Sequence, residues 1–339
     1  MITLKEAKAL LDKSENPLIF FDDDPDGLCS YLLLKKYLKR GNGLIVKNSP
    51  TLDETYVVKV RQYTPDLVVV LDKPMMSQEF IDKIHVPILW IDHHPINDVK
   101  GVNYFNPRFK DEKDNRPTTY WCHQMLKGKK WIALLGILFD YSLADVSVLR
   151  KSYSNLFDGK ILKKPDDVYD TTFGHLIRIV SFGLKGEIKE TYKFIELMEK
   201  VEEPEEILEQ TTPIGKKIYQ KFSKVDKVYQ ELLKEALKQK DEDFLVYTYV
   251  NDALSLTADL ANEVKYRVQS KITLIARIDR DEVKGSLRNK DTGKDLPSHL
   301  KKALEGLHGY GGGHPHACGF CVKKDDFPVF VERLKKSLL

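Results

Sequence analysis

Short apolar runs alternate with helix-period segments over the first 140 residues, the pattern of a parallel sheet with crossover helices. Residues 17–21 read as a strand and 27–40 as a helix with Leu28, Tyr31, Leu32, Leu34 and Leu38 turned inward. Further strands fall at 43–46, 67–71 and 87–91, the second introduced by Pro65-Asp66, and 77–84 has helical spacing. A polar loop runs from Asn106-Pro107-Arg108 to Arg116-Pro117, after which 118–126 and 131–142 are again helical. From about 145 to 240 the pattern is helical and highly charged. It includes 188–201, 204–210 and a Lys/Glu-rich stretch at 214–240 whose charges form a solvated face. A second α/β pattern follows, with strands at 244–250, 272–278, 282–287 and 317–322 and helices near 253–264, 296–304 and 327–338. The class is therefore α/β. A parallel-sheet N-terminal domain (1–200), a helical connector (201–242) and a smaller mixed α/β C-terminal domain (243–339) are expected. The boundary is signalled by Lys238-Gln239-Lys240-Asp241-Glu242-Asp243.

A length of 339 residues suits two domains, and 42% apolar residues suffice for their cores. The charged fraction, 31%, exceeds the usual ~25%, mostly through Lys and Glu. A net charge of +3 gives no overall basic footprint, and the basic clusters at 35–40 and 127–130 read as solvated helix faces. The four cysteines are few and scattered and no leader pattern opens the chain, so a reducing cytoplasm is expected. Cys318 and Cys321 have CxxC spacing, but no second pair completes a zinc site, and their odd separation on a strand sends the sulfurs to opposite faces. No apolar run approaches the ~20 residues that span a bilayer, so no membrane partner is expected.

The chemistry lies where the apolar runs end. Asp22-x-Asp24-x-Asp26-Gly27 follows the first strand, Asp72 ends 67–71, Asp92-His93-His94 ends 88–91 and Asp140 ends the apolar stretch 131–139. A Gly311-Gly312-Gly313-His314 stretch, read as a loop, lies near the end. Open α/β sheets place ligands beyond the carboxyl ends of their strands, so the four acidic segments can meet. Hard divalent cations take carboxylate oxygens, and adding imidazole moves the preference from Mg2+ towards Mn2+. Two ions roughly 3.5–4 Å apart require a shared carboxylate. The pattern points to metal-assisted hydrolysis of a phosphoester.

In these residues the chain resembles the DHH phosphoesterase superfamily, named for the triplet present as Asp92-His93-His94. Its first motif stands as Asp22-Asp23-Asp24-Pro25-Asp26-Gly27, in the form of the RecJ-like branch. Asp72 resembles the second motif and Gly136-Ile137-Leu138-Phe139-Asp140 the fourth. The signature of the DHH-associated substrate domain stands as Gly311-Gly312-Gly313-His314-Pro315-His316-Ala317-Cys318-Gly319, with Ser286-Leu287-Arg288 as its S-x-R strand. The resemblance implies that Asp24 and Asp72 hold one Mn2+, and that Asp26, Asp72, His93 and Asp140 hold a second, with Mg2+ as a substitute. Asp72 is then the bridge. Many relatives have His where this chain has Asp22, a further ligand candidate. His94 would stand at the scissile phosphate, with Asp92 orienting one of the two histidines. In the second domain the glycine main chain, His314, Arg288, Ser286 and, more weakly, His316 would grip phosphate across an interdomain cleft. Asn106, Arg108, Thr118 and Thr119 are secondary candidates, whereas His85, His123, His175, His299 and His308 are treated as structural.

The reaction implied is in-line attack of water on phosphorus without a covalent protein intermediate. Enzymes on long strands usually need a basic, aromatic-lined track such as an OB-fold, and none is expected in the seventeen residues after Val322. The expectation is an exonuclease releasing mononucleotides from short single-stranded RNA or DNA. A RecJ-like single-stranded DNA exonuclease working with replication or repair partners is the alternative. A scaffold without catalysis and a pyrophosphatase are the outsiders. Digestion polarity and oligomeric state are not legible.

Overall fold

A computed structural model describes residues 1–47, 49–239, 243–250, 254–290 and 293–339. The chain divides into two compact units, Met1–Phe222 and Ser223–Leu339. The first contains, in order, α1 (Leu4–Lys13), β1 (Pro17–Asp22), α2 (Pro25–Leu38), β2 (Asn42–Val46), β3 (Thr51–Leu52), α3 (Val57–Tyr63), β4 (Leu67–Leu71) and β5 (Met75–Met76). Then come α4 (Gln78–Lys83), β6 (Ile88–Ile91), β7 (Asn103–Phe105), α5 (Thr118–Leu126), α6 (Lys130–Phe139), α7 (Val146–Leu149), α8 (Thr172–Gly183), α9 (Ile188–Met198) and α10 (Glu205–Leu208). The helix α11 (Pro213–Ala236) carries the chain past Phe222.

Five strands form one parallel sheet in the order β2-β1-β4-β6-β7, and β3 and β5 make a separate short pair. All five residues of β4, Leu67-Val68-Val69-Val70-Leu71, are buried. Both faces of the sheet are covered, which is why these strands read as continuous apolar runs rather than alternating ones. Leu18, Phe20, Val68, Val70 and Trp90 face one side with Leu52 and Phe80. The opposite side carries Phe21, stacked on Tyr31 of α2 with ring centroids 4.4 Å apart. Each such side chain contributes roughly 1.5–3 kcal/mol through burial.

The expected helix at 27–40 begins two residues earlier. Asp24 caps α2 by accepting the Gly27 N–H, Pro25 occupies its first turn and Lys39 ends it in a left-handed conformation (φ 55°). The expected 131–142 helix closes at Phe139, leaving Asp140 as its C-cap. Five short elements, α1, α3, β3, β5 and β7, were not expected. The capping box between Thr3 and Glu6 is the local signal for the first. The three residues of β7 carry too little periodicity to read.

The second unit contains β8 (Phe244–Val250), α12 (Thr257–Arg267), β9 (Ile272–Asp279), β10 (Glu282–Asn289), α13 (Leu296–Leu304), β11 (Gly309–His314), β12 (Ala317–Lys323) and α14 (Phe327–Leu338). Its sheet runs β11-β12-β10-β9-β8, antiparallel except for the β8–β9 pair. Leu274, Leu287, Leu300, Phe320, Phe330 and Leu334 belong to one buried cluster joining α13 and α14 to the sheet. The glycine segment expected as a loop is instead the edge strand β11. Glycine lacks a side chain to mark a strand period, but its main chain pairs with β12 (Gly312 opposite Gly319). Ala253, where a helix was expected to begin, and Lys240 to Glu242, within the expected boundary, lie outside the described residues. Cys318 and Cys321 are free thiols. Among the described residues no helix is long and apolar enough to cross a membrane.

Candidate metal centre and phosphate site

Three parallel strands and one helix end at the same place. The chain turns sharply after β1, and Gly27 is what permits it. A Cβ there would stand 2.7 Å from the main-chain N and O of Asp22. The turn puts Asp24 at the start of α2 and Asp26 in its first turn. Asp26 is 1% exposed and receives the N–H groups of Thr118 (2.9 Å) and Thr119 (2.8 Å) at the start of α5. The N-terminus of α5 has no side-chain cap of its own. A carboxylate 92 residues away satisfies it.

Asp72 follows β4 in a left-handed conformation (φ 59°), its N–H bonded to the Ile91 carbonyl at 3.0 Å. A non-glycine residue held there is strained, and its Oδ1 is fixed by the Thr118 hydroxyl at 3.0 Å. Beyond β6, His93 donates from Nδ1 to the Asn115 carbonyl at 3.2 Å. This turns Nε2 towards Asp72 (3.5 Å), Asp140 (3.7 Å) and Asp26 (3.9 Å). Asp92 is fully buried and points the other way. Its carboxylate accepts from His94 Nδ1 at 2.8 Å, from the His94 main-chain N–H, from the Tyr104 hydroxyl and from Asn106 Nδ2. Of the two histidines it could have served, it holds His94. Arg108 donates to the His93 carbonyl at 2.7 Å. Asp140 arrives because Gly136 lets α6 approach α5. A Cβ at Gly136 would lie 2.3 Å from Thr119 Oγ1.

Three groups of ligand-type atoms result, each within 4.8 Å: Asp22, Asp24 and Asp72; Asp26, His93 and Asp140; and Asp72, His93 and His94. Asp72 and His93 each belong to two of them. Burial, then the charges of Asp22 and Asp26, push Asp24 up to about 7. Burial and neighbouring carboxylates likewise raise Asp72 and Asp140 well above the ordinary range. Burial and the charge of His94 lower His93, keeping it a neutral donor. Burial alone would lower His94 too, but its bond to Asp92 and that charge outweigh it and lift the imidazole to about 9. Repelling carboxylates around a neutral imidazole are a donor set that fits hard divalent cations.

The other expected residues belong to the second unit. Ser286 on β10 bonds Thr257 at 3.2 Å, and Arg288 donates from Nε to Asn262 at 2.5 Å. Gly311, Gly312, Gly313 and His314 lie exposed on the edge strand. His316 bonds Asn289 at 2.6 Å. Sequence reasoning missed Tyr104, Asn115, Asn262 and above all Lys73. Lys73 is fully buried and bonded to Asp22. Its only signal was its place directly after Asp72.

Family models account for both units: the DHH family N-terminal domain matches residues 17–139, and the DHHA1 domain matches 243–338. No curated protein matches the chain. Among solved structures it resembles RecJ from Thermus thermophilus in complex with Mn2+. The TM-score is 0.69 and identity 16%, over 99% of this chain and 54% of that one, so this chain spans about half its length. That RecJ is also solved with Mg2+. A pGpG-specific phosphodiesterase, PggH from Vibrio cholerae, is similar at TM-score 0.51 and 14% identity, over 95% and 97% of the chains. CDC45 from Entamoeba histolytica is similar at 0.55 and 9%, over 98% of each. At such identities these likenesses speak for the fold. The two domain matches and the acidic centre fit a metal-dependent phosphoesterase. The chain belongs to the DHH phosphoesterase superfamily.

Proposed function

We propose that the protein is a two-metal phosphodiesterase that degrades short single-stranded oligonucleotides to mononucleotides. The carrying observation is the convergence of Asp22, Asp24, Asp26, Asp72 and Asp140 on His93 and His94 at the carboxyl end of one sheet. Asp24 and Asp72, with Asp22 beside them, would hold one Mn2+. Asp26, Asp72, His93 and Asp140 would hold the other, and Mg2+ could replace either. When bound, such ions lower the pKa of the attacking water and neutralise charge on phosphate oxygens. The chain's own contribution is a donor. Asp92 accepts from His94 Nδ1 and favours the protonated ring, which would donate a proton or hydrogen bond at the scissile phosphate, to a non-bridging oxygen or to the leaving oxygen.

Residues 243–339 are the proposed substrate-binding domain, following the expected division at 1–200 and 201–242. Support comes from β11, an exposed edge strand whose three glycines leave the main chain bare for phosphate. His314, His316, Ser286 and Arg288 complete the proposed grip. The net charge of only +3 favours a short phosphate footprint, and the similarity to a phosphodiesterase of a dinucleotide agrees with it. A second reading, a RecJ-like DNA exonuclease with replication partners, draws on the likeness to RecJ and CDC45.

The test is Mn2+-dependent degradation of end-labelled RNA and DNA from dinucleotides to about thirty nucleotides, with Asp72→Ala as control. Preference for the shortest strands supports the proposal. Strong digestion of long DNA moves the assignment to the second reading, and no turnover on any strand removes the enzyme reading.

A further inference from the structure

Lys73 is the side chain in the acidic centre that no ligand scheme calls for. It is 1% exposed and ranks among the largest fully buried side chains of the protein. Its ammonium donates to Asp22 Oδ1 at 2.5 Å and to the Ser49 carbonyl. Its main chain is held as well, because Trp90 Nε1–H donates to the Lys73 carbonyl at 3.0 Å. The left-handed turn at Asp72 separates the two neighbours. Asp72 is directed to Thr118 and His93, while Lys73 is directed to Asp22. A buried ammonium is costly unless paired, and Asp22 supplies the pairing charge for Lys73.

The consequence is asymmetric. Asp22, Asp24 and Asp72 make one three-carboxylate position, and Asp26, His93 and Asp140 make the other with Asp72 close by. Lys73 bonds a carboxylate of the first set only. Resting on the two-metal reading above, we propose that Lys73 competes with the divalent ion for Asp22, making the Asp22/Asp24/Asp72 position the weaker of the two and the last to fill. Lys73 is then a positioning residue that ties activity to free metal concentration over a range in which the His93 position is already occupied.

The experiment is Mn2+ titration of the metal-free full chain, followed by calorimetry and by the spin-resonance signal of free Mn2+. The proteins are wild type, Lys73→Met, Asp22→Asn and the double variant. Methionine keeps the length and apolar stem without the charge. Wild type should show two unequal classes of site. Lys73→Met should tighten the weaker class at least about tenfold, the scale of one unit charge removed at this range, and leave the tighter class within about threefold. In the Asp22→Asn background the same change should shift the weaker class by about threefold or less. Equal shifts in both backgrounds, or none in either, overturn the proposal. If Lys73→Met does not unfold cooperatively, wild type alone decides, since two sites of equal affinity overturn it. Wild type that binds no Mn2+ overturns the two-metal reading itself.

Discussion

Two adjacent histidines, 4.5 Å apart between ring centres, are driven to opposite protonation states. His93 is buried beside a charged neighbour and stays neutral, whereas His94 is bonded to a buried carboxylate and is lifted to about 9. The unfolded value is about 6.5. The His94–Asp92 pair therefore contributes stability fully present below about pH 6.5 and lost as pH rises through about 9. In the metal-free protein, His94→Gln should cost more stability at pH 6 than at pH 9.5, as read from thermal unfolding at each pH. A cost independent of pH would remove the charged imidazole. The same variant should lower kcat by roughly 10²–10³-fold. At the level of single residues, the DHH triplet and the Asp-rich turn were legible because carboxylates cannot end buried strands without a reason. Lys73 and the division of labour at Asp92 were not, since both depend on which neighbour a buried side chain meets.

The elements that make the centre are those that let helices come close. Gly27 and Gly136 each stand where a Cβ would collide with a neighbour. Gly27→Ala should therefore destabilise the protein by about 1–3 kcal/mol in denaturant unfolding. The start of α5 clamps two carboxylates at once, Asp26 through main-chain N–H groups and Asp72 through a hydroxyl. Thr118→Val keeps the first contact and removes the second, so Mn2+ affinity should fall by about tenfold with the fold intact. Unchanged affinity in a calorimetric titration would show that Thr118 does not tune Asp72. The strands β1, β4 and β6 were readable as apolar runs, and α2 and α5 from their periodicity. The clamp was not, because it joins positions 92 and 46 residues apart. Nor was β11, whose glycines carry no hydrophobic period.

For the molecule as a whole, the acidic centre stores repulsion that cations relieve. Asp24 is raised from 3.8 to about 7. Its contribution to the stability of the metal-free protein is thus present below about pH 3.8 and lost as pH rises through about 7. Metal binding requires the deprotonated ligand, so apparent Mn2+ affinity should rise at least about tenfold between pH 6 and 8. In the second unit, Arg288→Ala should raise KM with little change in kcat, and an unchanged KM would remove Arg288 from substrate binding. Asp72 bears the heaviest demand, as the carboxylate shared by both proposed metal positions. The measurement to make is anomalous X-ray scattering at the manganese edge from crystals of wild type and Asp72→Ala soaked in Mn2+. Wild type should give two peaks roughly 3.5–4 Å apart, one on either side of the Asp72 carboxylate, and Asp72→Ala should lose at least one. A single wild-type peak, or a pair that survives unchanged in Asp72→Ala, would overturn the two-metal centre.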